Sequence, residues 1–309
     1  MNWKKKFACL VSFTGMTIGA IHITNRVLSY NATKMNYLRR TSGDFFNWKF
    51  GRVFFRKQGR GKPILLIHDL VNYSSCDEWN KVFDELSKKY TVYALDLFGC
   101  GRSDKPNIIY TNYLYVQLIS DFIKQVIGKK TDIVVSGSSS SFVLAACNND
   151  KDIINQIVMV TPEELKKHNE GFSKRKRTLS WFVNLPLIGT LLYHILNRKS
   201  VIKSKAGHVD SSLLDIYFES AHVDNSLTKH VFASILGGYT NTSVIHFIKT
   251  LNNSIYIITG EDNVLNEVYE NTYMEYLPAI EKTSISDTYS MPQIESPKKF
   301  IDILNIYLS

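Results

Sequence analysis

From about residue 50 the chain alternates short apolar runs with longer stretches in which apolar residues recur at helical spacing. Arg52-Val-Phe-Phe-Arg-Lys57 reads as a strand, Gly59 to Pro63 as a turn, and Ile64-Leu-Leu-Ile67 as a buried strand. Trp79–Leu86 reads as a helix, Tyr90–Leu95 as a strand and Tyr115–Ile127 as an amphipathic helix. Asp132–Val135 and Gln156–Val160 are further strands. Residues 163–249 then read as helical throughout, with no convincing strand. Ile255–Thr259 and Ala279–Ser286 resume the strands, with Val268–Tyr276 and Pro297–Leu308 as helices. Strands separated by helices at this spacing predict an α/β fold with a mostly parallel sheet, helices on both faces, and one inserted helical segment. The expected division is 1–45 as an amino-terminal anchor and basic linker, 46–162 with 250–309 as the core, and 163–249 as a helical cap.

The amino terminus has a different pattern. Lys4-Lys5-Lys6 precedes Phe7 to Thr24, eighteen residues without a formal charge. As a helix this stretch spans about 27 Å, just short of a hydrocarbon core of about 30 Å, and Lys6 and Arg26 can snorkel to make up the difference. The expectation is a single membrane anchor. A cleaved secretory signal, with Ile18-Gly19-Ala20 as its processing site, and an amphipathic or buried helix stand as alternatives. Orientation stays open, because the lysine triplet is nearly balanced by Arg26, Lys34, Arg39 and Arg40 on the other side.

Charge sharpens this picture. The 309-residue chain carries a formal net charge of +9, yet twelve of its 37 Lys/Arg and only one of its 28 acids fall in residues 1–60. A second basic block, Lys166 to Lys205, holds ten basic residues and the single acid Glu170. Its first part, Lys166 to Arg177, leads into the apolar run Leu179–Leu196, which contains Trp181 and Phe182. Such a segment suits an anionic membrane surface, while the plainer reading is an ordinary cap with solvated lysines. No nucleic-acid-binding motif accompanies the charge. The four cysteines, Cys9, Cys76, Cys100 and Cys147, show neither CxxC spacing nor nearby histidine clusters, so no metal site, cofactor or disulfide framework is expected.

Three loops that follow strands carry the chemistry. His68-Asp69-Leu70 follows the first buried strand, and Asp96-Leu-Phe-Gly-Cys-Gly-Arg-Ser-Asp104 follows the next. The third is Ile133-Val-Val-Ser-Gly-Ser-Ser-Ser-Ser-Phe142, the strand, sharp turn and helix of a nucleophile elbow, which nominates the Ser139 hydroxyl. In this order and spacing they resemble the α/β-hydrolase superfamily, in its cap-bearing branch of esterases, epoxide hydrolases and dehalogenases. The resemblance covers about residues 48–309. It implies an oxyanion hole formed by the backbone N–H groups of Leu70 and Ser140, and a structural role for His68, Asp96 and Arg102. Asp69 stands where the family has glycine.

The resemblance also implies a triad in the order serine, acid, histidine. The acid slot in Gly260-Glu-Asp-Asn263 falls on Asn263, and the histidine slot in Ser290-Met-Pro-Gln-Ile-Glu-Ser-Pro297 falls on Ser290. Asp262 and Glu163 are the alternative acids, and His208, His222, His230 and His246 the nearby histidines. Neither an amide nor a hydroxyl accepts a proton near neutral pH and returns it to a leaving group. The implied function is a membrane-associated serine hydrolase of esters or lipids with a degenerate triad and weak or absent turnover. The alternative is a catalytically inactive module that binds a small apolar ligand or a protein partner.

Overall fold

The computed structural model describes residues 3–165 and 173–309. The beginning of the second basic block, 166–172, lies outside the described residues. Eight strands form one sheet: β1 (Asp44–Trp48), β2 (Gly51–Gln58), β3 (Pro63–Ile67), β4 (Thr91–Leu95), β5 (Thr131–Ser136), β6 (Ile154–Val160), β7 (Ser254–Gly260) and β8 (Glu281–Ile285). Their spatial order is β1-β2-β4-β3-β5-β6-β7-β8, antiparallel at β1, β2 and β4 and parallel from β4 to β8. Every residue of β5 is buried, as a central strand covered on both faces requires. One face is covered by α3 (Asn112–Phe122), α4 (Ser140–Asn149) and α10 (Val264–Tyr276), through Tyr115, Phe122, Phe142 and Tyr273. The other is covered by α2 (Asn80–Leu86) and α12 (Pro297–Tyr307), through Phe83, Phe300 and Leu304. The short α11 (Pro292–Glu295) precedes α12.

The strands lie where the apolar runs place them, apart from β1, which the pattern does not reveal. Its burial alternates weakly, with Phe45 exposed, because it forms an edge of the sheet. The helix over 115–127 also starts earlier, capped by the Thr111 side chain, and ends in a π-helical turn at Ile123–Ile127.

Between β6 and β7 the described chain contains α5 (Lys174–Asn184), α6 (Ile188–Leu196), α7 (Lys199–Ala206), α8 (Ser211–Ser226) and α9 (Lys229–Leu236). These cap helices sit on the loop after β3: Asn72 Nδ2 donates to Tyr193 Oη at 2.8 Å and to Asn197 Oδ1 at 2.9 Å. Tyr73 joins Ile202, Leu213, Tyr217 and Ile294 in a small apolar cluster at the same junction.

The amino-terminal helix α1 (Trp3–Thr33) is longer than the apolar stretch. Its apolar window is wholly unburied, with Phe7, Leu10, Val11, Phe13, Met16 and Ile18 all exposed. Its last third is instead docked on α6 and α8. Asn25 Nδ2 donates to Leu187 O at 2.8 Å, Arg26 Nη1 to Asn225 Oδ1 at 2.8 Å, and Ser29 Oγ pairs with Ser226 Oγ at 3.1 Å. Just beyond the helix, the backbone N–H groups of Tyr37 and Leu38 donate to the Glu219 carboxylate at 2.7 and 3.1 Å. Residues 25–33 therefore belong to the folded body and do not act as a free linker.

Candidate functional site

The sharp turn after β5 falls at Gly137, whose φ is +56°. That conformation costs glycine little and any other residue about 1–2 kcal/mol. Ser139 lies two residues further on, at φ −63° and ψ −18°, already in the helical region. It is fully buried, and its Oγ donates to His68 O at 2.8 Å. The Ser139 hydroxyl that the sequence nominates is thus not presented to solvent. The backbone turns as soon as glycine permits, which carries Ser139 inward into the first turn of α4. The expected oxyanion donor Ser140 is also unavailable, since its N–H donates to the carbonyls of Gly137 and Ser138 within that turn.

The N–H that faces the loop after β3 belongs to Ser138. It donates to Asp69 Oδ1 at 2.8 Å, and Ser138 Oγ donates to the same oxygen at 2.7 Å. The Leu70 N–H, the other expected donor, also favours the charged form of the Asp69 carboxylate. A Cβ built on Gly137 would stand 2.4 Å from Asp69 Cγ and 2.4 Å from its Oδ1. A side chain at the apex of the turn and the Asp69 carboxylate would therefore occupy the same space.

Asp69 is half-buried, with other acids close by. Burial is the main cause that pushes its pKa up to about 6, the charge of Glu163 adds to this, and the Ser138 hydrogen bonds oppose it. Glu78, itself buried, accepts from Ser74 Oγ at 3.1 Å, Gln293 Nε2 at 3.0 Å and the Asp69 N–H at 3.3 Å. Desolvation pushes Glu78 up to about 7. Nothing in the sequence pattern singled it out, although its position ten residues beyond His68 on a short buried 3-10 turn (Cys76–Trp79) is what brings it under Asp69. Both carboxylates raise the pKa of the Tyr73 phenol, after desolvation.

His68 is structural. Its Nε2 accepts from the Leu97 N–H at 3.0 Å, which leaves Nδ1 protonated to donate to Asp69 O at 2.7 Å. Burial lowers its pKa, consistent with this neutral tautomer. Asp96 accepts from the backbone N–H groups of Cys76 at 2.7 Å and Arg102 at 2.6 Å. The Arg102 guanidinium spans Asp96 and Asp77, and its Nε reaches Leu38 O at 2.7 Å. This pins the loop after β4 to the chain that follows α1.

Asn263 and Ser290 do come together: Asn263 Nδ2 donates to Ser290 Oγ at 3.1 Å, while Asn263 Oδ1 caps α10 by accepting from the Leu265 N–H. Asp262 is exposed. The carbonyl of Glu163 accepts from Tyr273 Oη at 3.1 Å. Of the histidines His208, His222, His230 and His246, the first and last are exposed; His222 bonds to Phe218 O and His230 to Asn184 Oδ1. Among the described residues no three His, Cys, Asp or Glu side chains converge as a metal site.

A family model described as "Alpha/beta hydrolase family" matches residues 64–303. The chain belongs to the α/β-hydrolase family. Among solved α/β-hydrolases, it superposes on a serine hydrolase involved in carbazole degradation (CarC) with a TM-score of 0.68 at 19% identity, covering 86% of this chain and 98% of that one. It superposes on carboxylesterase CesB from Bacillus subtilis with a TM-score of 0.64 at 12% identity, covering 94% and 98%. In sequence it is 29% identical over 108 residues to 2-hydroxy-6-oxo-6-(2'-aminophenyl)hexa-2,4-dienoic acid hydrolase of Metapseudomonas resinovorans, a match spanning 34% of this chain and 37% of that hydrolase. A match of 29% over 110 residues joins it to an uncharacterized protein of Mycobacterium tuberculosis, spanning 36% of this chain and 32% of that one. The match thus spans about a third of the length of these curated relatives.

Proposed function

We propose that this α/β-hydrolase-family protein is membrane-tethered through α1 and holds a small apolar ligand or a protein partner without ester hydrolysis. The observation that carries the proposal is the Asp69 carboxylate on the Ser138 N–H, in the space that a side chain at Gly137 would fill. In this fold the nucleophile stands at the strained apex of the strand-to-helix turn, and the N–H of the next residue helps to bind the oxyanion. On that geometry the nucleophile slot is Gly137, which has no side chain, and the hole at Ser138 and Leu70 already holds an anion of the chain's own. A developing oxyanion would meet a carboxylate where it needs donors. The neighbouring slots support the same reading, because Asn263 gives its amide hydrogen to Ser290 and neither group shuttles protons. Membrane tethering is supported by the unburied apolar window of α1.

Weak serine hydrolysis through Ser139 is the second reading, favoured by family membership. Labelling of the full chain with a serine-directed fluorophosphonate separates the two. The expected result is no labelling of either the wild type or Ser139→Ala. Strong wild-type labelling that Ser139→Ala abolishes overturns the non-hydrolytic reading. Combining Asp69→Gly, Gly137→Ser, Asn263→Asp and Ser290→His should create reactivity, and omitting Gly137→Ser from that set should remove it. A folded but silent quadruple variant would overturn the placement of the slots.

A further inference from the structure

The corner between α5 and α6 lies at a telling height on the molecule. These two helices diverge by 114° across Leu185-Pro186-Leu187. The Leu187 carbonyl at this corner accepts from Asn25, the first residue after the uncharged stretch Phe7–Thr24. The corner therefore sits beside α1 at the level where its apolar part ends.

Around that corner the large apolar side chains face outward. Trp181 is 59% exposed, Phe182 45% and Ile188 59%, and only Ser180 and Val183 of α5 turn inward. Away from the corner each helix leads to basic residues. Lys174, Arg175, Lys176 and Arg177 are exposed at the start of α5, and Arg198 is exposed just beyond α6. By helical rise, Lys174 lies about 10 Å along α5 from Trp181. An apolar tip flanked by cations at about this distance matches the boundary between acyl chains and phosphate headgroups, whose apolar layer takes interfacial side chains to a depth of about 5–10 Å. Exposed cations beside such a tip are attracted by an anionic surface.

We propose that the α5–α6 corner docks into the surface of an anionic bilayer, beside the point where α1 leaves it. Trp181, Phe182 and Ile188 enter the apolar side of the interface, and the Lys174–Arg177 run lies against the headgroups. This rests on the reading of α1 as a membrane anchor. The docked cap gives the body a second point of contact with the lipid.

The test uses the full chain in vesicles of phosphatidylcholine alone or with phosphatidylserine. In a Cys9→Ser background, whose other three cysteines are buried, Ile188→Cys or Ile306→Cys on α12 carries an environment-sensitive nitrobenzoxadiazole label. Lipids with spin-labelled acyl chains serve as quenchers. The label at position 188 should show blue-shifted emission and be quenched several-fold more than at position 306. The difference should be larger with phosphatidylserine and shrink when Lys174, Arg175, Lys176 and Arg177 are all changed to Gln. Equal quenching at the two positions, in protein that floats with the vesicles after an alkaline carbonate wash, overturns the docking and leaves the anchor standing. Protein that does not float overturns the anchor and the docking with it. Quenching at 188 that ignores phosphatidylserine overturns the anionic assignment. A blue shift that grows with the protein-to-lipid ratio, without quenching, identifies a second copy of the chain as the occupant instead and overturns the proposal.

Discussion

Replacing Asp69 by Asn keeps the shape of the side chain and its acceptor oxygen but removes the charge, which isolates what burying that charge costs. The Asp69 pKa rises from an ordinary 3.8 to about 6, chiefly because the carboxylate has left water and secondly because Glu163 is near. At about 1.4 kcal/mol per pH unit, the charged form is disfavoured in the folded protein by about 3 kcal/mol. The native state holds this proton longer than the unfolded chain does, so the stability associated with it is fully present below about pH 4 and lost as pH rises through about 6. Asp69→Asn should leave stability near pH 4 almost unchanged. It should raise stability at pH 8 by up to about 3 kcal/mol, and by less where the Ser138 bonds favour the charged carboxylate. Denaturant unfolding of the detergent-solubilised chain from pH 4 to 8, followed by tryptophan fluorescence, measures this directly. Glu78, pushed up to about 7 by burial, contributes a slope of the same sign, so Asp69→Asn with Glu78→Gln should remove more of that slope than Asp69→Asn alone, leaving the opposite slope of the buried histidines His194 and His230, whose pKa values burial lowers to about 4. A variant less stable than wild type at pH 8, or with an unchanged slope, would refute the assignment of a desolvated, disfavoured anion at Asp69.

Gly137→Ala should destabilise by more than the about 1–2 kcal/mol of its positive φ, because its Cβ would stand 2.4 Å from the Asp69 carboxylate. Adding Asp69→Gly should recover part of that loss, and strictly additive effects in a double-mutant cycle would show that the two do not share space. Arg102→Met should cost about 3–5 kcal/mol, since it leaves Asp77 and Asp96 buried without their cation. Thermal unfolding with retained or lost cooperativity checks this, and a change below about 1 kcal/mol would reduce the Arg102 network to a surface contact.

Much of the fold is legible because its strands are buried on both faces and read as unbroken apolar runs, as in Ile64–Ile67 and Ile133–Val135. β1 escapes because an edge strand with an exposed Phe45 and a polar Asn47 carries no clear period. The elbow is recognisable, but its register is not. Four consecutive serines look alike to any spacing rule, and only the φ of Gly137 shows where the chain turns. Asp69 stands out in the sequence as an acid at a glycine position, yet its direction decides its meaning, and direction is set by the tertiary approach of β3 to β5. Glu78 is invisible for the same reason. The docked end of α1 is missed because Asn25, Arg26 and Ser29 look like an ordinary polar boundary until the cap is folded against them.

The continuity of α1 has a mechanical consequence. A body joined to a bilayer by a flexible leash of about nine residues swivels and samples a reach of about 15–18 Å. Here residues 25–33 are helical and fastened to the cap, so under the proposed tethering, with residues 7–24 in lipid, the body would be mounted on a post. Its azimuth is then set by helix phase: one inserted residue between Thr24 and Asn25 would turn it by about 100° relative to the embedded segment and lift it by about 1.5 Å, where a leash would only lengthen. In that proposed arrangement, anything that reaches this protein along the membrane would meet one fixed side of it.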